Sequence, residues 1–187
     1  MMTDISYPSA KTALADIETT AIKWDDGGRM IIPDKVHVLC VRDMERGVTY
    51  DFGPERADIE RGVRWLETCE KIIFHNGRTF DEKVLTFHFN FNAENCIDSI
   101  VLCRLFYSNV KEDEDFNRFE ACKEMPDKHP LKFTGDLMGR HSLEAWGLRL
   151  KEPRPKGNYV DLMKKLYPEV DPWAEYNLHM LEYCKQD

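Results

Sequence analysis

Apolar positions run together or alternate through the first half of the chain, then recur at spacings of three and four. Residues 12–18 (TALADIE) predict a short strand that ends in acids. Residues 23–34 (KWDDGGRMIIPD) carry the turn residues of a long loop. Residues 35–43 (KVHVLCVRD) predict a buried strand and 47–53 (GVTYDFG) its hairpin partner. The period changes at residues 58–69, where Ile59, Val63 and Leu66 fall on one helical face. Residues 71–76 (KIIFHN) are a short apolar strand followed by Gly77, and 81–89 a helix with Asp81 near its start. Residues 95–107 begin as a strand or turn and continue as a helix, with Asp98 at the changeover. Residues 109–135 are polar and turn-rich, which predicts a surface excursion with little regular structure. Helices are expected over 141–150, where Ser-Leu-Glu gives a weak cap signal, over 159–166, and from about Pro172 through Asp187.

Strand, hairpin, helix, strand, helix and further helices make an α/β layout with a mixed sheet. An antiparallel three-strand meander followed by parallel strands is the ribonuclease H-like arrangement. Residues 1–13 read as a polar N-terminal extension and 14–187 as a single domain, long enough for a sizeable core. No apolar run reaches the length of a membrane helix, and the polar N-terminal segment is unlike a signal peptide. The six cysteines form neither a C-x-x-C pair nor a zinc-spaced cluster, and read as reduced cytosolic thiols. The net charge of −8 argues against broad non-specific duplex binding. It leaves room for a nuclease, because a carboxylate cluster is itself acidic and bound metal ions reverse the local field.

Four carboxylates sit in contexts suited to a divalent cation. Asp16 and Glu18 are two apart on a strand, so both face one way. Two carboxylates on one face of a central strand are costly to bury without a partner, and a divalent metal is the usual one. Asp81 follows a strand through the turn at Gly77, at the carboxyl end where α/β folds place their sites. Tyr183 and Asp187 are one helical turn apart. Each also has a plain structural reading. Asp16 and Glu18 can mark a strand end dipping into solvent, Asp81 can cap its helix, and Tyr183 can be an aromatic core residue beside an exposed acid.

In order and context together, these residues resemble the 3′→5′ exonucleases with four acids and a tyrosine in the third motif. Asp16 and Glu18 match the first motif, residues 76–81 (NGRTFD) the second, and 183–187 (YCKQD) the third. The histidine branch of the family needs a histidine at the position of Glu182, so the tyrosine branch fits. The likeness is greatest to the N-terminal proofreading exonuclease domain of T-seven-like bacteriophage DNA polymerases. It extends through residues 73–77, 95–105 and 141–150 and covers about 14–187, diverging most at 23–35 and 109–135. The chain departs from that pattern in about a dozen extra N-terminal residues, a longer loop at 23–35, and a last motif that ends at Asp187 where the family continues into a polymerase. Both an excised piece of a longer protein and a free-standing exonuclease agree with that ending.

The resemblance implies two Mg²⁺ or Mn²⁺ ions. One would be held by Asp16, Glu18 and Asp187, the second by Asp16 and, through water, Asp81, with Tyr183 orienting the attacking water. Asp98 would play a supporting role beside the site, with capping of the following helix as an equal alternative. Asn76, Phe80 and His141 are candidates for contacting the terminal nucleotide, although Phe80 and His141 also read as core or capping residues. The cations of residues 149–156 (RLKEPRPK) are candidates for guiding a single-stranded backbone, and a solvated loop is the plain alternative. Trp65 and Trp146 read as core. The expected substrate is a single-stranded or frayed DNA 3′ end, processed alone or in proofreading, with a polymerase domain or subunit as partner. The expected setting is the cytoplasm, that of the bacterial host for a phage protein, with no membrane partner. An exoribonuclease on the same fold and a non-catalytic module that binds nucleic acid or a partner are the alternatives.

Overall fold

A computed structural model describes residues 10–126, 129, 131–152 and 158–186. The strands and helices follow in this order: β1 (Thr12–Thr19), β2 (Lys23–Trp24), β3 (Met30–Ile31), β4 (Val36–Asp43), β5 (Val48–Phe52), α1 (Arg56–Leu66), β6 (Lys71–Phe74), α2 (Asp81–Phe89), β7 (Cys96–Asp98), α3 (Ser99–Phe106), α4 (Phe116–Cys122), α5 (Leu143–Arg149), α6 (Tyr159–Leu166) and α7 (Leu178–Gln186). They fall into two compact units, one of residues up to Asp98 together with Tyr159–Gln186, the other Ser99–Asn158. No described helix is long and apolar enough to cross a membrane.

The first unit is built on a five-stranded sheet in the order β5-β4-β1-β6-β7. β4 is antiparallel to both β1 and β5, while β6 is parallel to both β1 and β7. This is the expected meander with parallel additions, an α/β fold of the ribonuclease H-like kind. Period two divides the sheet's side chains between two cores. Ala13, Ala15 and Ile17 of β1 and Leu39 and Val41 of β4 pack with Ile59, Val63 and Leu66 of α1 and with Val84 and Leu85 of α2. On the other face, Val38 and Cys40 pack with Tyr159 and Met163 of α6 and with Met180, Leu181 and Cys184 of α7. Each fully buried aliphatic or aromatic side chain contributes roughly 1.5–3 kcal/mol. Gly62 permits the close approach of α1, since a Cβ there would lie 2.5 Å from the Phe52 ring.

Three elements differ from expectation. The loop 23–34 contains a small hairpin, with β2 antiparallel to β3. Asp25 closes its turn, accepting from the Gly27 and Arg29 amides at 2.9 and 2.8 Å. The last helix starts at Leu178 rather than near Pro172. Asn177 explains the late start, because its side-chain oxygen accepts from the Met180 amide at 3.0 Å, as a helix cap does. In the second unit, residues 109–135 hold a π-helical turn at Lys111–Asp115 that runs into α4.

The second unit has its own core of Cys122, Phe133, Leu137, Ala145 and Leu148. Ser142 caps α5 by accepting from the Ala145 amide at 3.3 Å, so the weak Ser-Leu-Glu signal marks a real cap. Asp115 and Arg149 form a buried pair there. Arg149 donates through Nε to Asp115 Oδ1 at 2.8 Å and through Nη2 to Oδ2 at 2.7 Å. Arg149 is therefore not a cation for guiding a nucleic-acid backbone. It stacks over Trp146, 4.8 Å from the ring centre. Of the expected N-terminal extension, residues 1–9 lie outside the described residues, as do 153–156 of the basic stretch and Asp187.

A candidate metal centre

The register of the central strands decides where the first two acids go. Asp16 pairs with Cys40 and Glu18 with Val38. Directly opposed residues share a face, so both acids lie on the side covered by α7. Asp16 is half-buried and Glu18 is buried. α7 brings a third group to them. The Cys184 thiol lies 3.4 Å from the Asp16 main-chain oxygen and 3.5 Å from Asp16 Oδ2. One ligand atom from each of Asp16, Glu18 and Cys184 lies within 4.8 Å of the others. Lys185, the next residue, pairs with Asp51 of β5 at 3.1 Å and ties the helix to the sheet edge.

Asp81 arrives from the other side of β1. β6 pairs with β1 only at residues 12–14, so the strands part before the acids are reached. The chain leaves β6 at Phe74 and turns through residues 75–80. Asn76 takes a left-handed conformation with φ of 67°, which asparagine tolerates. Gly77 is required next, because a Cβ there would sit 2.4 Å from the Phe74 Cβ. Asp98, at the end of β7, accepts from the Asn76 amide at 2.9 Å and from the Arg78 amide at 3.1 Å. Asp98 thus holds the turn that precedes Asp81.

Asp81 opens α2 and is 3% exposed. Its own and the Ile17 main chain hydrogen-bond its carboxylate, which sets it against β1 at Ile17; it is not a member of the group that Asp16 and Glu18 form with Cys184. Oδ1 has no hydrogen-bond partner among the described residues. Burial pushes this carboxyl up to about 7, and the charges of Asp98 and Glu82 push the same way. Glu82 is also buried and raised, first by burial and then by Asp98, with Arg78 opposing. Sequence reasoning did not single out Glu82; its position beside Asp81 in the first turn of α2 is the only signal it carries.

A buried acid raised in the folded state and ordinary in the unfolded chain favours the folded protein at low pH. That advantage is lost as pH rises from about 4 through about 7. In EDTA, the protein should therefore melt at lower temperature at pH 8 than at pH 5.5. Asp81→Asn should reduce the difference, by an amount on the order of a few kcal/mol. Identical pH profiles of wild type and Asp81→Asn, followed by circular dichroism, would show that Asp81 is solvated.

Tyr183 is half-buried in an aromatic group, with ring centres 5.5 Å from Tyr159 and 6.4 Å from Trp173. Tyr159, which sequence reasoning missed, donates to the Pro172 carbonyl at 2.6 Å and accepts from Asn177 at 2.7 Å. Burial raises its phenol, and the Glu18 charge adds to the rise, so it borders the same carboxylate. Asn76 is exposed on its turn, whereas Phe80 is half-buried and packs against the core. His141 belongs to the second unit, 5.9 Å from the Trp146 ring centre, and burial lowers its pKa.

The donors fit hard divalent ions. Two carboxylates converge on one sheet face, and a third, Asp81, keeps an unpartnered oxygen in a nearly closed position. A cation is the usual reason to gather such charge. The Cys184 sulfur is the unexpected member. Burial, a bond to the Cys40 thiol and the charges of Asp16 and Glu18 all hold it protonated.

No protein-family model matches the chain. Its sequence is similar to the DNA-directed DNA polymerase of Enterobacteria phage T3, 38% identical over 172 residues that cover 82% of this chain and 22% of the relative. It is also similar to the DNA-directed DNA polymerase of Escherichia phage T7, 38% identical over 131 residues that cover 62% of this chain and 17% of the relative. The chain spans about a fifth of the length of these relatives, and is related to a segment of phage DNA polymerases.

Proposed function

We propose that this chain is a metal-dependent 3′→5′ exonuclease of the four-acid, tyrosine type, acting on single-stranded or frayed DNA ends in proofreading or end-processing. The observation that carries it is the convergence of Asp16 and Glu18 on one face of β1, with buried Asp81 hydrogen-bonded by the Ile17 main chain of the same strand. The kinship with phage DNA polymerases supports DNA as the substrate and a polymerase domain or subunit as the partner. Asp16, Glu18 and Asp187 would hold one Mg²⁺ or Mn²⁺, and Asp16 with Asp81 a second. Bound there, such ions supply a nucleophilic water at neutral pH and stabilise the departing 3′ oxygen. Tyr183 orients that water through its phenol. Asn76, on an exposed turn, contacts the terminal nucleotide, with Phe80 as a further contact. Asp98 keeps Asp81 in place through the turn it holds. Hydrolysis adds water across the last phosphodiester bond, releasing one nucleotide and leaving a new 3′ hydroxyl.

The test uses 5′-labelled oligonucleotides. Mg²⁺ or Mn²⁺ should support a ladder of products shortened one nucleotide at a time from the 3′ end, and EDTA should abolish it. Single strands should be degraded faster than blunt duplexes, because the end must be separated to reach the site. Faster digestion of RNA than of DNA would make the chain an exoribonuclease. Binding to single strands with no cleavage under any metal would make it a non-catalytic module.

A further inference from the structure

We propose that Cys184, Asp16 and Glu18 form a second mode of cation capture, selective for thiophilic divalent ions of the zinc and cadmium class. Nothing in the four-acid pattern assigns a role to the residue after the tyrosine. Here it is a cysteine whose Sγ lies 3.5 Å from Asp16 Oδ2, with Glu18 in the same cluster. The spacing suits such an ion. A tetrahedral centre with sulfur at ~2.3 Å and oxygen at ~2.1 Å holds the two donors about 3.6 Å apart. Softness separates the two modes, since thiolate selects zinc-like ions and carboxylates alone serve Mg²⁺ and Mn²⁺.

A second observation points to a cation nearby. Asp81, 3% exposed and with an unpartnered Oδ1, is hydrogen-bonded by the main chain of Ile17, the residue between the two strand acids in sequence. The Lys185–Asp51 pair keeps α7, and hence the thiol, close to β1. Capture forms a sulfur–metal bond and releases the thiol proton to water, with no change of oxidation state. Asp16 and Glu18 serve both modes, so one kind of ion excludes the other. Binding needs only these residues. The consequence for turnover, inhibition of the Mg²⁺-supported reaction by Zn²⁺, rests on the exonuclease reading.

Cadmium titration of the full chain in Mg²⁺-free buffer tests this, followed by the ultraviolet thiolate-to-cadmium absorption. The wild type should show a signal that saturates at one equivalent and is displaced by excess Mn²⁺. Cys184→Ser should abolish it, while Cys103→Ser, at a half-buried thiol in the second unit, should retain it. Asp16→Asn keeps every thiol and should weaken cadmium binding at least tenfold, which guards against a folding defect in the cysteine variant. A signal unchanged in Cys184→Ser, undisplaced by Mn²⁺, or of equal affinity in Asp16→Asn overturns the proposal. Cadmium capture without nuclease activity removes the exonuclease reading and leaves this site standing. Nuclease activity without cadmium capture does the reverse.

Discussion

Asp16→Ala should lower Mg²⁺-supported nucleotide release by about a thousandfold or more. A divalent ion supplies several kcal/mol of charge stabilisation, and each ~1.4 kcal/mol is a factor of ten in rate. Asp16 is the acid that would serve both ions. It is also half-buried, whereas Glu18 and Asp81 are buried. Tyr183→Phe should cost less, about ten- to a hundredfold. Its ring stays packed against Tyr159 and Trp173, and only the orientation of water is lost. Calorimetric Mn²⁺ titration of both variants should show weakened binding for Asp16→Ala alone. Full cleavage by purified Asp16→Ala would end the metal-centre reading, and equal losses in the two variants would give the phenol a larger part than positioning.

Arg149→Ala should destabilise the second unit by about 3–5 kcal/mol, the usual loss when one partner of a buried ion pair is removed. The side chains of Arg149 and Asp115 are 1% and 0% exposed and meet through two hydrogen bonds. Asp115 also accepts from the Gly139 amide at 2.8 Å, so the pair joins the π-helical turn, the Gly139 turn and α5. Burial alone would raise the Asp115 carboxyl, but the bonds from Arg149 and Gly139 outweigh it and lower the pKa. A lowered carboxyl stabilises the fold above the ordinary aspartate range, and that contribution disappears as pH falls through its folded value. Arg149→Lys should fall between wild type and alanine, because an ammonium cannot reproduce the planar two-bond grip. Urea unfolding followed by Trp146 fluorescence reads the effect locally, since Trp146 stacks on Arg149. A loss below about 1 kcal/mol in Arg149→Ala would mean that the pair behaves as a surface one.

What could be read from the sequence was whatever local periodicity encodes. The apolar runs of β4 and β6 and the Ile59, Val63, Leu66 face of α1 needed no tertiary knowledge, and with the turn signals they sufficed for the mixed sheet. The pairing of Asp16 with Glu18 was legible for the same reason, two residues on a strand. Pairings between distant segments were not. Asp115 sits in an acidic run that resembles a solvated surface, and its partner lies 34 residues on. Cys184 is hidden likewise: nothing near it in sequence shows that α7 places its thiol against Asp16. Helix boundaries slipped where one side chain decided them, as Asn177 does for α7.

The contact of the Cys184 thiol with Asp16, 168 positions apart in the chain, also bears on the order of synthesis. β1 leaves the ribosome carrying Asp16 and Glu18 long before α7 exists. At roughly 5–20 residues per second, about 8 to 34 s separate the two. Through that interval the strand acids have neither the helix nor its thiol beside them. The centre therefore forms only after α7 has been synthesised, and until then a nascent chain carries the first half of the fold without the enclosure that α7 completes.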